Sequence, residues 1–179
     1  MNSIQQEMLV LVNEHDEAVG TMEKMEVHRK ALLHRAFSVF LFNSKGDMLL
    51  QQRALSKYHS GGLWTNTCCS HPYPHETPME AGKRRTREEL GIEVELIPAF
   101  SFIYKATLDN ELTEHEFDYV LVGRYDGAVL PNAAEVMDYR FQSLDTLRES
   151  LAAEPYNYTA WFKIAFPLLE DYLHNNNVV

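Results

Sequence analysis

The sequence predicts an α+β fold, an α/β/α sandwich in which helices cover both faces of a mixed β-sheet. Short apolar runs bounded by turn residues dominate the middle of the chain, and helical segments stand between and after them. The chain of 179 residues is long enough for one domain with a sizeable core. No repeat, low-complexity stretch or long linker divides the chain, so we expect residues 1–179 to form a single domain.

The first three predicted strands lie in the N-terminal third. They are the apolar runs at residues 8–13, 36–43 and 48–53. Residues 44–47 read Ser-Lys-Gly-Asp, which is typical of a turn, so the second and third strands should form a hairpin with a four-residue connection. Residues 54–63 carry no periodic pattern and are expected to be irregular.

A helix start is strongly marked at residue 77. Thr77 can act as the N-cap, Pro78 suits the first helical position, and Glu80 completes a capping box. The helix is expected to continue to Leu90 and to stop at Gly91.

The C-terminal half alternates strands and helices. Three further strands are predicted, at 92–107 with a break at Pro98, at 114–124 and at 136–141. Two helices are predicted at 143–151 and 158–173, and Pro167 should bend or interrupt the second one.

Composition and charge exclude several classes of protein. The net charge of −10 argues against a nucleic-acid partner and against an anionic membrane surface. No apolar run approaches the roughly 20 residues that span a bilayer, and residues 1–7 are polar and show no signal peptide. Two adjacent cysteines cannot form a disulfide framework, so we expect a cytoplasmic protein.

Both cysteines lie in the segment Thr65-Asn66-Thr67-Cys68-Cys69-Ser70-His71-Pro72. If this segment is extended, Cys69 and His71 share one face and Cys68 points to the other. A buried cysteine is often only a small hydrophobic side chain, which is our interpretation of Cys68. Cys69 would instead place a thiol beside an imidazole that can bind a metal.

The helix after Thr77 carries an unusual run of charge, Lys83-Arg84-Arg85-Thr86-Arg87-Glu88-Glu89. One interpretation is a solvated helix face with compensating charges. The other is a site for a phosphate-bearing small molecule, with carboxylates that hold a divalent metal.

Spacing favours the second interpretation. The stretch from Ser70 to Ile92 resembles the Nudix box, Gly-x5-Glu-x7-Arg-Glu-U-x-Glu-Glu-x-Gly-U with U apolar. The matching residues are Glu76, Arg84, Glu88, Glu89, Gly91 and Ile92. Ser70, Arg85 and Thr86 replace the glycine, a glutamate and the apolar residue of the box. In Nudix hydrolases the box carboxylates bind the metals that assist attack on a diphosphate, so Arg85 weakens that metal site and adds a cation.

Further motifs resemble one branch of this superfamily, the type I isopentenyl-diphosphate isomerases. They follow the family's order from about residue 24 to residue 161: Arg53-Ala54-Leu55-Ser56-Lys57, Trp64, the Cys-His segment, Glu114-x-Glu116, Glu135-Val136-Met137-Asp138-Tyr139 and Trp161. The resemblance implies isomerisation of isopentenyl diphosphate to dimethylallyl diphosphate through a tertiary carbocation.

The resemblance also implies roles for individual residues. Cys69 and Glu116 are the predicted proton carriers, in either order, and Tyr104 is a candidate relay to Glu116. The residues expected to bind the substrate are Lys24, Arg53, Lys57 and Arg85 at the diphosphate and Trp161 at the hydrocarbon. Tyr104 and Trp161 could equally be core aromatics, and Glu114 and Glu116 could be the solvent face of an edge strand.

One divalent metal, Mn, Zn or Mg, is implied by the resemblance, with His28, His34, His71, Glu114 and Glu116 as ligands. Glu89 is the expected ligand of a second Mg²⁺ bound with the diphosphate, and no flavin is expected. His28 precedes His34 by six residues, which rotates a side chain by about 240° on a continuous α-helix. Either that segment is irregular or another histidine serves. The histidines interpreted as structural or exposed are His15, His59, His75 and His174.

Two other functions are compatible with parts of the sequence. A Nudix pyrophosphohydrolase of a nucleoside diphosphate derivative shares the box but would not need Cys69 or Trp161. A non-catalytic domain with a structural zinc usually shows paired motifs such as Cys-x2-Cys, which this chain lacks. For both the isomerase and the pyrophosphohydrolase, the expected partner is a small-molecule diphosphate. We expect the protein to be a monomer or a weak homodimer.

Overall fold

The computed structural model describes residues 7–176, which form one mixed sheet of nine strands with four α-helices. The strands are β1 (Met8–Val12), β2 (Ala18–Glu23), β3 (His34–Phe42), β4 (Met48–Arg53), β5 (Trp64–Thr65), β6 (Cys68–Ser70), β7 (Ile97–Thr107), β8 (Thr113–Arg124) and β9 (Val136–Gln142). The helices are α1 (Lys24–Lys30), α2 (Pro78–Leu90), α3 (Leu144–Ala153) and α4 (Ala160–Asn176).

Strand β3 is the centre of the sheet. It pairs in parallel with β8 from His34 to Phe42, and β7 pairs antiparallel with the other edge of β8. On its opposite edge β3 pairs antiparallel with β6, while β4 pairs with β5 and β9. Parallel and antiparallel pairs therefore occur in one sheet, as predicted.

Helices cover both faces of this sheet. On β3, Val39 and Leu41 belong to the core under α2, whereas Phe40 and Phe42 pack on the other face with Phe162 and other residues of α4. This strict alternation follows from the two-residue period of a strand. The α/β/α arrangement predicted from the sequence is confirmed.

The predicted hairpin of β3 and β4 is paired only at its turn, where Phe42 faces Met48. Further along, a side chain from the cysteine segment lies between the two strands. Thr67 Oγ1 accepts from the amide of Leu41 at 2.9 Å and donates to the carbonyl of Leu49 at 2.7 Å. The two strands therefore separate, and the gap positions the segment that leads into β6.

Other elements differ from the prediction in extent. Helix α2 has the predicted capping box and ends at Gly91, but residues 92–96 are irregular and β7 begins only at Ile97. Helix α4 continues through Pro167 without interruption, because Phe166 and Leu169 hold the turns on both sides of it in the core. Strands β2 and β5 and helix α1 were not predicted.

No helix within residues 7–176 is long and apolar enough to cross a membrane. Apart from Glu7, the polar N-terminal stretch that showed no signal peptide lies outside the described residues.

Candidate active site

Four buried side chains converge at one end of the sheet. The ligand atoms of His28, His34, His71 and Glu114 all lie within 4.8 Å of one another. Each of these four residues is at most 5% exposed. The donors of one metal ion lie about 2 Å from it, which places opposite donors about 4 Å apart, so the spacing of this cluster fits a single ion.

The turn after α1 brings His28 beside His34. Helix α1 ends at Lys30, and Ala31 adopts a left-handed conformation with φ of 52°. The chain then reverses into β3, whose first residue is His34, and the two imidazole centroids lie 5.1 Å apart. The segment between the two histidines is therefore irregular. The rotation that a continuous helix would impose does not apply, and the two imidazoles can face each other.

Backbone carbonyls orient two of the imidazoles. His28 Nδ1 lies 2.6 Å from the carbonyl oxygen of Lys24, and His34 Nδ1 lies 2.9 Å from that of Leu32. A carbonyl only accepts, so each Nδ1 carries the proton and each Nε2 turns a lone pair toward the cluster. Backbone carbonyls commonly orient metal-binding histidines in this way.

The cluster contains polar atoms that lack a hydrogen-bonding partner among the described residues 7–176. His28 Nε2 and Glu114 Oε2 are two such buried atoms, although they lie 3.1 Å apart. Buried polar groups are normally satisfied, and unpaired ones call for an ion or a water. Three imidazole nitrogens and a carboxylate suit Zn or Mn, so the residues fit the metal that the sequence implied.

Two of these groups are in the state that a metal needs. Burial lowers the pKa of His71 to about 4, despite the opposing hydrogen bond with Glu116, so the imidazole is neutral at pH 7. Burial alone would raise the pKa of Glu114, but the adjacent imidazoles of His28 and His59 hold it well below its usual range. Burial would lower the pKa of His28, but the Glu114 carboxylate raises it, so a metal ion would compete with a proton there.

Glu116 joins this cluster to a neighbouring cavity. It is paired in register with His34 on one side and with Tyr104 on the other, so the three side chains form a row across β3, β8 and β7. Glu116 Oε1 lies 3.0 Å from His71 Nε2, and Oε2 accepts a 2.6 Å hydrogen bond from the Tyr104 hydroxyl.

Cys69 faces the same side of the sheet as this row. It lies opposite Ser38 on β3 and packs against the core under α4, whereas Cys68 is fully buried in the core under α2. The predicted separation of the two cysteines onto opposite faces is confirmed. Burial raises the pKa of the Cys69 thiol to about 12, and the nearby Arg53 only partly offsets this, so the thiol is protonated at neutral pH.

The cavity beside Cys69 has a volume of about 40 Å³. This is space for no more than a few water molecules, so any larger ligand must displace side chains. Nine of its lining residues are predicted site residues: Lys24, Arg53, Lys57, Cys69, Arg85, Tyr104, Glu114, Glu116 and Trp161. A larger cavity of about 350 Å³ opens beside residues 43–46 but contains none of them.

Two of the cations that line this cavity, Lys57 and Arg85, are paired with carboxylates. Lys57 binds one oxygen of Glu135, and Arg85 lies 3.3 Å from the other. Arg85 also donates to Glu89 at 2.7 Å, and Gln51 donates to the second oxygen of Glu89 at 2.9 Å. Glu89, the predicted ligand of a second Mg²⁺, therefore lies outside the histidine cluster and is paired with Arg85.

Trp161 forms the aromatic wall of the cavity. It is 3% exposed, and the Arg53 guanidinium lies 5.0 Å from its ring centroid. The position on α4 aims the ring at the face of the sheet that carries Cys69 and Glu116. Trp161 therefore contacts both the core and the cavity.

The sequence analysis missed a residue of this site, His59. It is 3% exposed and its Nε2 lies 3.1 Å from Glu114 Oε1. The signal that could have identified it is its place two residues after Lys57, the last residue of a segment already assigned to the substrate. His15, His75 and His174, interpreted in the same way as His59, are exposed.

The Nudix-like box is dominated by ion pairs. Arg84 binds Glu76 through two bonds of 2.6 and 2.8 Å, and it also reaches Glu88. Arg85, in place of a box glutamate, reaches Glu88 and Glu89. The box carboxylates are thus paired with arginines within α2 and the loop before it.

Comparison with known proteins identifies the fold and the family of the chain. Residues 32–162 match the NUDIX domain family. A solved structure from Deinococcus radiodurans has a TM-score of 0.68 and 27% identity, over 82% of this chain and 90% of that chain. The fold of a MutT protein from Methanosarcina mazei Go1 is also similar, with a TM-score of 0.65 and 22% identity over 80% and 95% of the two chains. The fold and the box define a Nudix protein.

Relatives with higher sequence identity show which family of Nudix proteins the chain belongs to. The isopentenyl-diphosphate Delta-isomerase of Burkholderia multivorans is 48% identical over 174 residues, which cover 94% of this chain and 99% of that protein. The enzyme of the same name from Pectobacterium atrosepticum is 48% identical over 164 residues, or 92% of each chain. The chain belongs to the isopentenyl-diphosphate Delta-isomerase family of Nudix proteins.

Proposed function

We propose that this protein isomerises isopentenyl diphosphate to dimethylallyl diphosphate by adding one proton and removing another. The family of its relatives supports this reaction. The observation that carries the proposal is that Cys69 and Glu116 line one cavity together with Trp161 and four cationic side chains.

The reaction needs two proton carriers in opposite states. The terminal CH₂ of the alkene gains a proton to give a tertiary carbocation, and C2 then loses a proton to form the new double bond. Burial holds the Cys69 thiol in its protonated form at neutral pH. Burial alone would raise the pKa of Glu116, as would the charge of Glu114, but bonds with His34 and His71 lower it, so the carboxylate is ionised. Cys69 therefore carries a proton that it can donate, and Glu116 can accept one. One proton is added to the substrate and one is removed, so the substrate and the product contain the same number of hydrogen atoms.

The diphosphate is assigned to Lys24, Arg53, Lys57 and Arg85, which all line the cavity. Their concentration contrasts with the net charge of −10 of the whole chain. Charge-assisted bonds from arginine and lysine are the strong contacts that a diphosphate accepts. Glu135 forms ion pairs with Lys57 and Arg85 in this structure. The diphosphate must therefore compete with Glu135 for these two cations, or their side chains must change conformation.

Trp161 is assigned to the hydrocarbon and to the carbocation. A desolvated cation over an indole ring gains about 2 kcal/mol or more. Trp161 is itself only 3% exposed, so a hydrocarbon held against its ring is shielded from bulk water. Exclusion of water prevents capture of the carbocation as an alcohol.

His28, His34, His71, Glu114 and Glu116 would hold a divalent metal, Mn, Zn or Mg, which when bound supplies a fixed positive charge beside the Glu116 carboxylate. Glu89 is assigned to a second Mg²⁺ that accompanies the diphosphate. No flavin takes part in this chemistry. We place the reaction in the cytoplasm, carried out by a single-domain protein that is a monomer or a weak homodimer.

Incubation with isopentenyl diphosphate and Mg²⁺ in D₂O tests the proposal. Proton NMR should show the methyl signals of dimethylallyl diphosphate and incorporation of deuterium. Release of phosphate without a shift of the double bond would instead establish the pyrophosphohydrolase. Arg85 disfavours that outcome, because it stands where the Nudix box has a glutamate and so removes one of the carboxylates that a hydrolase would offer to its metals.

A further inference from the structure

A second histidine contacts the carboxylate of the metal cluster from the side of the cavity. Glu114 Oε2 lies 3.1 Å from His28 Nε2, and Glu114 Oε1 lies 3.1 Å from His59 Nε2. The carboxylate is therefore held between an imidazole of the cluster and one outside it. His59 Nε2 is buried, and no residue among 7–176 offers it a better-aligned hydrogen-bonding partner than this carboxylate oxygen.

The same imidazole supports the aromatic wall. Its ring meets Trp161 edge to face with centroids 5.6 Å apart, and it meets Tyr58 at 4.3 Å with a similar geometry. Its Nδ1 lies 3.2 Å from the hydroxyl of the adjacent Ser60. These contacts, together with that of Nε2 and Glu114, restrict the orientation of the His59 ring.

We propose that His59 is a positioning residue that couples the metal site to the aromatic wall. Contact with Oε1 fixes the rotation of the Glu114 carboxylate, so that Oε2 faces His28 and the other cluster histidines. Contact with Trp161 fixes the indole over the cavity. The first part depends only on the geometry of the cluster, whereas the second part rests on the proposed function.

Loss of the contact between His59 and Glu114 should lower the affinity of the protein for a metal ion. Partners that orient a ligating carboxylate or histidine typically contribute a factor of about 10 to 100 in affinity. Without the imidazole, the Glu114 carboxylate could rotate away from the cluster, and its charge would be left with one partner fewer in a buried setting.

The experiment is a Zn²⁺ titration of the metal-free protein in competition with a chromogenic chelator. His59→Leu should weaken Zn²⁺ binding by about 10- to 100-fold, while His174→Leu, at an exposed histidine of α4, should bind as the unmodified protein does. Unchanged Zn²⁺ affinity in a folded His59→Leu would overturn the proposal.

A pair of amide variants keeps the test decisive if His59→Leu does not fold. Glutamine places its amide nitrogen near the position of Nε2, whereas asparagine reaches only as far as Nδ1. His59→Gln should therefore retain Zn²⁺ affinity and His59→Asn should lose it. Equal affinities in these two variants would overturn the positioning role.

Turnover of isopentenyl diphosphate tests the coupling to Trp161. His59→Gln at saturating metal should lower kcat with little change in KM, because its amide preserves the Glu114 contact but not the edge-to-face packing. Normal kcat would refute the coupling. An unmodified protein that binds Zn²⁺ yet fails to isomerise would refute the proposed function and leave the metal result intact.

Discussion

The hydroxyl of Tyr104 donates a 2.6 Å hydrogen bond to Glu116 Oε2, between residues that are directly paired across β7 and β8. The other oxygen of Glu116 lies 3.0 Å from His71 Nε2. One buried carboxylate therefore links a phenol at the cavity to an imidazole of the metal cluster. Burial, and then the charge of Glu116, raise the pKa of Tyr104 well above its usual range, so the phenol stays a donor.

Replacing Tyr104 by phenylalanine should lower kcat by about 10- to 100-fold, since a hydrogen bond to a charged group contributes about 1.5–3 kcal/mol. The lost donor stabilises the ionised form of Glu116, so the pKa of Glu116 should rise. The acidic limb of the pH–rate profile should then move to higher pH. Tyr119→Phe, which removes a bond to Asp16 on the other face of β8, is the matched control. Identical profiles for Tyr104→Phe and the unmodified enzyme would contradict this role.

Cys69→Ala should reduce turnover by at least about 100-fold, because it removes one of the two proton carriers that we propose. Cys68→Ala should keep its activity, since Cys68 lies in the core on the opposite face of β6. Its only expected effect is a loss of about 1 kcal/mol in stability. Turnover is followed by NMR and folding by circular dichroism. Comparable activity in both variants would exclude Cys69 as a carrier.

Alternation along β6 made the division between Cys68 and Cys69 predictable, because a two-residue period is a local property of the chain. The capping box at Thr77 was predictable for the same reason. The proximity of His28 and His34 depends on the left-handed turn at Ala31, a residue type that gives no warning of that conformation. Sequence therefore predicts which face a side chain occupies better than which side chains meet.

The insertion of Thr67 between β3 and β4 shows the same limit. A β-branched threonine is compatible with a strand position, but the hydroxyl of Thr67 replaces a direct backbone pair by bonding Leu41 and Leu49. His59 was missed because its contacts, Glu114 and Trp161, are 55 and 102 residues away in sequence. Such contacts arise only from the tertiary fold.

Glu135→Gln should strengthen the binding of inorganic pyrophosphate by at least about threefold, or roughly 0.7 kcal/mol. Glu135 pairs with Lys57 and Arg85, two cations assigned to the diphosphate. Removing its charge eliminates repulsion of the incoming anion and leaves both cations available. Isothermal titration calorimetry measures the change, which should shrink at high salt. Glu95→Gln, at an exposed ion pair with Lys83, is the control. Weaker binding of pyrophosphate to Glu135→Gln would show that Glu135 mainly positions the two cations.

Zn²⁺ should stabilise the metal-free protein, by about 2.7 kcal/mol at a hundredfold excess over Kd. The gain comes from binding to the buried cluster, which exists only in the folded state. His28→Ala should lose most of this stabilisation, and His75→Ala, at an exposed histidine, should keep it. Thermal unfolding with and without Zn²⁺ measures both. An equal rise in Tm for His28→Ala would place the bound ion elsewhere.

Glu76 should contribute stability that depends on pH. Its hydrogen bonds with Arg84 lower the pKa of Glu76 in the folded protein, and the amide of Tyr73 adds to this. A carboxylate with a lowered folded pKa stabilises fully above the unfolded value of about 4.3, and the contribution disappears as the pH falls through the folded value. Glu76→Gln should therefore cost on the order of 1 kcal/mol near neutral pH and little in strong acid. Urea unfolding of both proteins across this range measures the difference, with Glu93→Gln at a loose, exposed pair as control. A difference that is the same at neutral and acidic pH would mean that packing of the side chain, rather than its charge, is what stabilises the loop before α2.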